Sequence, residues 1–182
     1  KPCVNKYMEI NLIEKCEGLN YLCRLKSNSV DLVLTDPPYH ISRDTGMQHA
    51  RDTGLGNSKF HIQTKFGAWD ESFNVQQLEP FIREIYRVLK PGGQLVICDA
   101  GKANYLHGLA GRIWMSTVVQ WMARWVTKTK DHPWKGLARS YTYYGTNRYY
   151  RNMMKDVGFQ DVSGRLLYPF LMSSRFRGRK PQ

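Results

Sequence analysis

The run Asn28-Ser29-Val30-Asp31-Leu32-Val33-Leu34-Thr35, followed at once by Asp36-Pro37-Pro38-Tyr39, constrains this chain more than any other segment. Unbroken β-branched residues and leucines after a polar turn predict a strand buried on both faces, as in parallel sheets. Two consecutive prolines give no N–H to a strand ladder. The sheet must therefore stop there and leave the following side chains at its carboxyl edge. In open α/β sheets that edge is where ligands bind.

The flanking pattern supports an α/β fold. Residues 7–15 alternate as a short strand, and Leu19, Leu22 and Cys23 then fall at helical spacing. Residues 40–68 are polar, show no sustained period and read as a long mobile loop. Leu78, Phe81, Ile82, Ile85 and Leu89 share one helical face, with Pro80 tolerated in the first turn. Lys90-Pro91-Gly92-Gly93 ends that helix, and residues 94–99 form a second buried-type strand, completing a strand–helix–strand crossover. Trp114, Val118, Trp121, Met122 and Trp125 then recur at helical spacing, a stripe predicted to face a core, on a helix that turns basic at Lys128 and Lys130. Residues 147–157 predict another helix stopped by Gly158. Residues 161–168 and 171–176 predict an antiparallel hairpin at the sheet edge, and Arg175, Arg177, Arg179 and Lys180 read as a cationic tail.

A length of 182 residues suits one domain, with residues 1–100 as a catalytic half and 101–182 as a basic half of helices and hairpin. A hydrophobic share of 42% excludes a disordered chain. No apolar run is long enough to span a membrane and no secretory h-region opens the sequence. The expectation is a soluble cytoplasmic protein without a membrane partner, nucleoid-associated in a prokaryote. Cys3, Cys16, Cys23 and Cys98 lack CxxC spacing and read as small buried hydrophobes in a reducing compartment. The five histidines are scattered without metal-ligand spacing, so no metal is expected.

Charge is divided unevenly. Residues 1–91 hold 12 Lys/Arg against 11 Asp/Glu, and residues 92–182 hold 15 against 4. That asymmetry predicts a polyanionic partner, nucleic acid first. Between Arg139 and Arg151 the cations interleave with five tyrosines. This makes Arg139, Tyr143, Arg148 and Arg151 candidates for phosphate contact and base stacking, against the alternative of tyrosines packing a helix with arginines in solvent.

At residues 36–39 a carboxylate, the carbonyl of a rigid proline turn and an aromatic face come together. The set suits a planar amine, whose NH₂ donates one hydrogen to Asp36 and the other to the Pro37 carbonyl while its ring stacks on Tyr39. Holding both hydrogens draws the nitrogen lone pair out of conjugation and aims it at an electrophile, by orientation and preorganised electrostatics. Such an amine on a base is inaccessible within a duplex, so the base must be extruded or single-stranded.

In these residues the chain resembles the amino-methylating DNA methyltransferases, the adenine-N6 and cytosine-N4 enzymes that use S-adenosylmethionine, in their permuted order. The likeness covers about residues 6–100: Lys15-Cys16-Glu17, a leucine-bearing helix, Asn28 to Leu32, Asp36 to Tyr39, Trp69-Asp70, Val88-Leu89-Lys90 and Gly92-Gly93 leading into residues 95–99. The resemblance implies a Rossmann-like class I methyltransferase fold, a mostly parallel sheet with helices on both faces and a carboxyl-terminal antiparallel hairpin. It implies S-adenosylmethionine as cofactor and DNA as substrate, either a duplex with a flipped base or a single strand, with the Asp form of the motif leaning toward adenine. It makes Asp36, Pro37, Pro38 and Tyr39 the target-base site. Glu17, standing where the family has Asp, with Cys16 beside it and Asp36, falls on the cofactor side. Trp69 and Asp70 fall near the active-site loop, with packing an equal alternative. Asp99 reads as a strand-end ligand or a turn former.

Two departures keep alternatives open. No Phe-x-Gly-x-Gly segment follows a strand in these residues, and Gly158 to Val162 ahead of a hairpin resembles the carboxyl end of non-permuted, small-molecule class I methyltransferases. The alternatives are a small-molecule methyltransferase and a DNA-binding half of a split or decayed enzyme. A homodimer or a partner chain would then complete the cofactor pocket.

Overall fold

The computed structural model describes residues 13–37, 75–128, 141–167 and 173–182. These form two compact units. Among the described residues, one draws on 13–37, 75–102, 145–167 and 173–182, and the other on 103–128 and 141–144.

In the first unit, helix α1 (Gly18–Arg24) starts because the Glu17 carboxylate accepts from Leu19 N–H at 3.0 Å and Asn20 N–H at 2.7 Å. Two of the four orphan donors of the first turn are thereby satisfied. The other end of α1 is tied to helix α2 (Leu78–Val88), where Arg87 donates to the Leu22 carbonyl at 2.9 Å and to the Leu25 carbonyl at 3.0 Å. Leu78, Ile82, Ile85 and Val88 of α2 are all buried; the first three belong to the face expected from the spacing, while Phe81 of that face is half-buried and Leu89 lies beyond the helix. Pro80 sits in the first turn, where a missing N–H leaves no bond unmade. Leu89 is already the first residue of the next strand, and the turn expected at residues 90–93 lies within that strand's extended run, with Gly92 at φ 79°.

Strand β1 (Val30–Thr35) pairs in parallel with strand β2 (Leu89–Ala100), so α2 is the crossover between them. Helix α5 (Asn147–Val157) matches the predicted span residue for residue. Thr146 caps its start, and Gly158 at φ 111°, a conformation that strains any residue with a Cβ, ends it. Strands β3 (Gln160–Leu167) and β4 (Ser173–Arg179) form the expected antiparallel hairpin, with β4 inserted between β2 and β3 in the order β1-β2-β4-β3. Among the described residues one pairing of the three is parallel, within an α/β layer structure.

The core lies on one face of this sheet. Leu95 and Ile97 of β2 and Phe176 of β4 are each at most 1% exposed, beneath Tyr150 and Met154 of α5 and Ile82 of α2. The Tyr150 ring stacks on Phe176 with centroids 4.4 Å apart. The cationic tail expected at the end of the chain is instead strand β4 and an anchor. Lys180 Nζ donates to the carbonyls of Tyr86 and Leu89 and to Asn28 Oδ1, each at 2.8 Å, and so clamps the chain end over the carboxyl end of α2.

Strand β1 departs from the expectation of burial on both faces: Leu32 is 55% and Leu34 68% exposed. The unit's core is built on the face of Leu95, Ile97 and Phe176, while Leu32 and Leu34 alternate to the other. The strand expected at 7–15 falls mainly on residues outside those described, and residues 13–15 are not in a strand. The loop expected at 40–68 also lies outside the described residues.

In the second unit the tryptophan stripe falls on two helices, α3 (Tyr105–Ser116) and α4 (Val118–Thr127), rather than one. The Ser116 and Thr117 hydroxyls both donate to the Ile113 carbonyl, at 3.1 and 2.7 Å, competing with the backbone at the break. Among the described residues of the unit the stripe does not face a core. Trp121 and Trp125 are 68% and 74% exposed, while the buried positions of the two helices are the small residues Gly108 and Ala123. Cys16 is exposed and Cys23 and Cys98 are half-buried, none of them in a disulfide, so none of the described cysteines is the buried hydrophobe expected. Cys3 and Lys130 lie outside the described residues. Among the described residues no helix is long and apolar enough to cross a membrane.

The one-sided core makes a prediction. Ile97→Ala removes buried volume and should lower unfolding free energy by about 2 to 5 kcal/mol, whereas Leu34→Ser on the open face should change it by about 0.5 kcal/mol or less. Urea denaturation of both variants checks this.

Candidate active site at the carboxyl edge of the sheet

Because β1 and β2 are parallel neighbours, they leave the sheet at the same edge. Thr35 pairs with Ile97, so the next residue of β1, Asp36, comes level with Cys98, with Asp99 one step beyond. Asp36 is exposed and Pro37 buried, which continues the in-and-out alternation of β1 and carries Asp36 to the face of Leu32 and Leu34. Pro38 and Tyr39 lie outside the described residues, as do Trp69, Asp70 and Arg139.

Asp99 is the site residue that sequence reasoning undervalued. It is 4% exposed, and its carboxylate accepts a short hydrogen bond from the Tyr150 hydroxyl and another from Ala100 N–H at 2.6 Å. Burial pushes its pKa from 3.8 up to about 7. The bonds from Tyr150 and Ala100 oppose that rise and the negative charge of Asp36 adds to it. The carboxylate is thus neither a turn former alone nor a free ligand, but a buried acceptor beside Asp36. The signal was present in the sequence, because residues 95, 97 and 99 share one face of β2 at period two.

The edge around Asp99 is held rigidly. Ser174 of β4, opposite Asp99 and fully buried, donates through Oγ to Asn147 Oδ1 at 3.0 Å. The N–H of Asn147 in turn donates to the Lys102 carbonyl at 2.7 Å, which pins the start of α5 to the end of β2. A Cβ on Gly101 would lie 1.6 Å from Ser174 Oγ, so only glycine lets β2 leave the sheet beside β4.

The remaining candidates fall as follows. Glu17 caps α1 with both carboxylate oxygens, and Cys16 Sγ accepts from the Arg24 guanidinium at 3.4 Å, the same group that pairs with Glu14. Arg148 and Arg151 are exposed on α5, and Tyr143 is exposed in the second unit. Tyr141 and Tyr150 are each 1% exposed, so for these two the packing alternative holds, and burial pushes the Tyr141 hydroxyl up to about 12. A cleft of 350 Å³ lined by Glu79, Tyr149, Asn152, Met153 and Asp156 lies between α2 and α5 and includes none of the edge residues. Among the described residues no group of three or more His, Cys, Asp or Glu could hold a metal ion.

A family model described as DNA methylase matches residues 30–157. The type II methyltransferase M.HpaI of Haemophilus parainfluenzae is 33% identical over 120 residues, which cover 63% of this chain and 33% of that protein. The chain thus spans about a third of the curated relative it matches. Among solved structures, phosphoethanolamine N-methyltransferase 2 of Haemonchus contortus is similar with a TM-score of 0.45 and 15% identity, over 92% of this chain and 36% of that one. An O-methyltransferase family protein of Burkholderia thailandensis is similar with a TM-score of 0.43 and 11% identity, over 97% of this chain and 36% of that one.

The raised pKa of Asp99 has a defined consequence for stability. With a folded value of about 7 above the unfolded 3.8, the folded state holds the proton more tightly, so this contribution is complete below the unfolded pKa and is lost as pH rises through 7. Unfolding free energy should fall across that window by at most about 1.4 kcal/mol per pH unit, and Asp99→Asn should flatten the slope. Urea unfolding at a series of pH values reads both.

Proposed function

The chain belongs to the DNA methylase family whose model spans residues 30–157, and on that premise we propose that it methylates the exocyclic amino group of a DNA base, adenine N6 in preference to cytosine N4. The observation that carries this reading is the exposed Asp36 carboxylate at the carboxyl end of a parallel strand, followed by a buried proline. The preference for adenine rests on the Asp form of the motif, Asp36-Pro37-Pro38-Tyr39.

In this reading Asp36 accepts one hydrogen of the amine and the Pro37 carbonyl accepts the other. Tyr39 offers its ring to the base, and the pair of acceptors draws the nitrogen lone pair out of conjugation with the ring and aims it at an electrophile. Asp36 is also placed to take the proton the amine must shed. S-adenosylmethionine, when bound, supplies an electrophilic methyl group on a sulfonium. The residues present fit one end of that cofactor: Glu17 is exposed, and the two backbone N–H groups it accepts leave carboxylate lone pairs free for hydroxyl donors.

Asp36→Ala should reduce methyl transfer to DNA by about 100-fold or more, the scale of losing one preorganised electrostatic partner. Tyr39→Ala should weaken binding of an unpaired adenine by about 1 to 3 kcal/mol. Calorimetric titration with S-adenosylmethionine, with and without DNA, together with a tritium-transfer assay checks both. Full activity of the Asp36 variant on a small-molecule acceptor, with DNA ignored, overturns the reading.

A further inference from the structure

On the face of the sheet away from its core, alternation and register place Leu32 and Leu34 of β1, Val96 and Cys98 of β2, Arg175 and Arg177 of β4 and Arg165 of β3. These side chains stand in rows. Leu34 is level with Val96 and Arg177, and one step along, Asp36 is level with Cys98, Arg175 and Arg165. The arginine side of this face therefore runs in the plane of the sheet straight to Asp36. From the strand spacing, Arg175 is about 10 Å and Arg165 about 15 Å from it.

Arg165 and Arg175 oppose each other directly across the β3–β4 ladder. Like charges at such a pair sit about 5 Å apart at Cβ and destabilise the sheet. Arg177 adds a third cation two residues along. All three are exposed, and among the described residues none has a hydrogen-bond or ion-pair partner. Elsewhere in the same unit Arg24, Arg83 and Arg87 are paired with Glu14, Glu79 and Glu84, while Arg148 and Arg151 of α5 are exposed but oppose no like charge across a ladder. Repulsion left uncompensated at the one place in register with Asp36 calls for an anion. The planar guanidinium fork fits phosphate oxygens two at a time.

We propose that Arg165, Arg175 and Arg177 form a phosphate track on the open face of the sheet, holding the backbone of the nucleic-acid strand whose extruded base reaches Asp36. The track rests on the base-site reading above for its direction, and its occupant is a nucleic-acid strand because the row leads to that site.

Fluorescence anisotropy with a labelled single-stranded oligonucleotide, at a series of salt concentrations, tests the track on the full chain. R175Q/R177Q should lower affinity about 10-fold or more at moderate salt, and should reduce the slope of log K against log salt by about 0.7 for each arginine removed. R165Q should remove one such increment while leaving the thermal midpoint equal or higher, because it relieves the Arg165–Arg175 repulsion. R83Q, which removes a paired arginine from α2, should leave the slope unchanged. The proposal is overturned if wild type does not bind the oligonucleotide at low salt, if the double variant keeps the wild-type slope, or if R83Q loses as much as R165Q. It is also overturned if wild type binds polyglutamate as tightly as DNA and R175Q/R177Q loses both together, which would assign the face to an acidic protein. S-adenosylmethionine affinity and methyl transfer are measured in parallel. A track that behaves as stated in a chain that transfers no methyl group overturns the methylation reading alone.

Discussion

When Thr35 pairs with Ile97 in a parallel ladder, both strands must leave the sheet at the same edge, and the carboxylates that follow, Asp36 and Asp99, arrive there together. No antiparallel arrangement would do this, since neighbouring strands would then end at opposite edges. The parallel pair requires a crossover, and α2 supplies it with a buried face of Leu78, Ile82, Ile85 and Val88. Arg87 and Lys180 then spend their donors on carbonyls at the ends of α1 and α2, which fixes the crossover to the rest of the unit. Asp36 itself makes no demand on the core.

Much of this framework was legible in the residues. The strand ahead of Asp36, the helix on Leu78, Ile82 and Ile85, the span of α5 and the hairpin all follow from periodicity and from Gly or Pro stops. Those signals are local, set by backbone sterics within a few residues. The failures share a different cause, because each concerned what lies across from an element. Leu32 and Leu34 read as buried since a β-branched run is the same whether one face is covered or two, and the pattern does not say which neighbours arrive. The tryptophan stripe read as one core-facing helix because its spacing passes through Thr117 unbroken, while hydroxyl competition at the Ile113 carbonyl breaks the helix there. Arg175, Arg177 and Arg179 read as a tail because alternate arginines leave a strand's apolar side only Ser174, Phe176 and Gly178 to announce itself.

The site was legible in part. Asp36 and Pro37 follow the end of β1 at the carboxyl edge, as the proline stop implied. Asp99 was visible as a residue but not as a buried acceptor, since its state depends on Tyr150, 51 positions away in sequence. The two carboxyl groups sit in unlike surroundings, Asp36 exposed and Asp99 enclosed. Here the enclosed partner is bonded to an aromatic hydroxyl and a backbone amide rather than pointed at solvent, so its effect on Asp36 is electrostatic.

The open face bears on the same edge from the other direction. In a parallel region crossovers tend to cover both faces, whereas among the described residues of this unit the core lies on one. The other face is also not uniform. It is apolar on β1 and on Val96 and carries Arg175, Arg177 and Arg165 on β4 and β3, and the boundary between the two, along β2 and β4, crosses the row of Asp36 between Cys98 and Arg175. A general solvent-facing surface would be expected to mix charges of both signs across such a boundary, with Glu or Asp opposite Arg on the ladder. The ladder instead sets Arg165 against Arg175 and keeps the carboxylate of the row at its far end, on Asp36. An anion lying along β3 and β4 is drawn by the arginines and repelled by Asp36. Its own charged backbone is therefore kept back from the carboxylate, and a neutral group extended from it is what reaches the edge. That separation of charge from the reacting group is what a strand of nucleic acid with one base turned out would present.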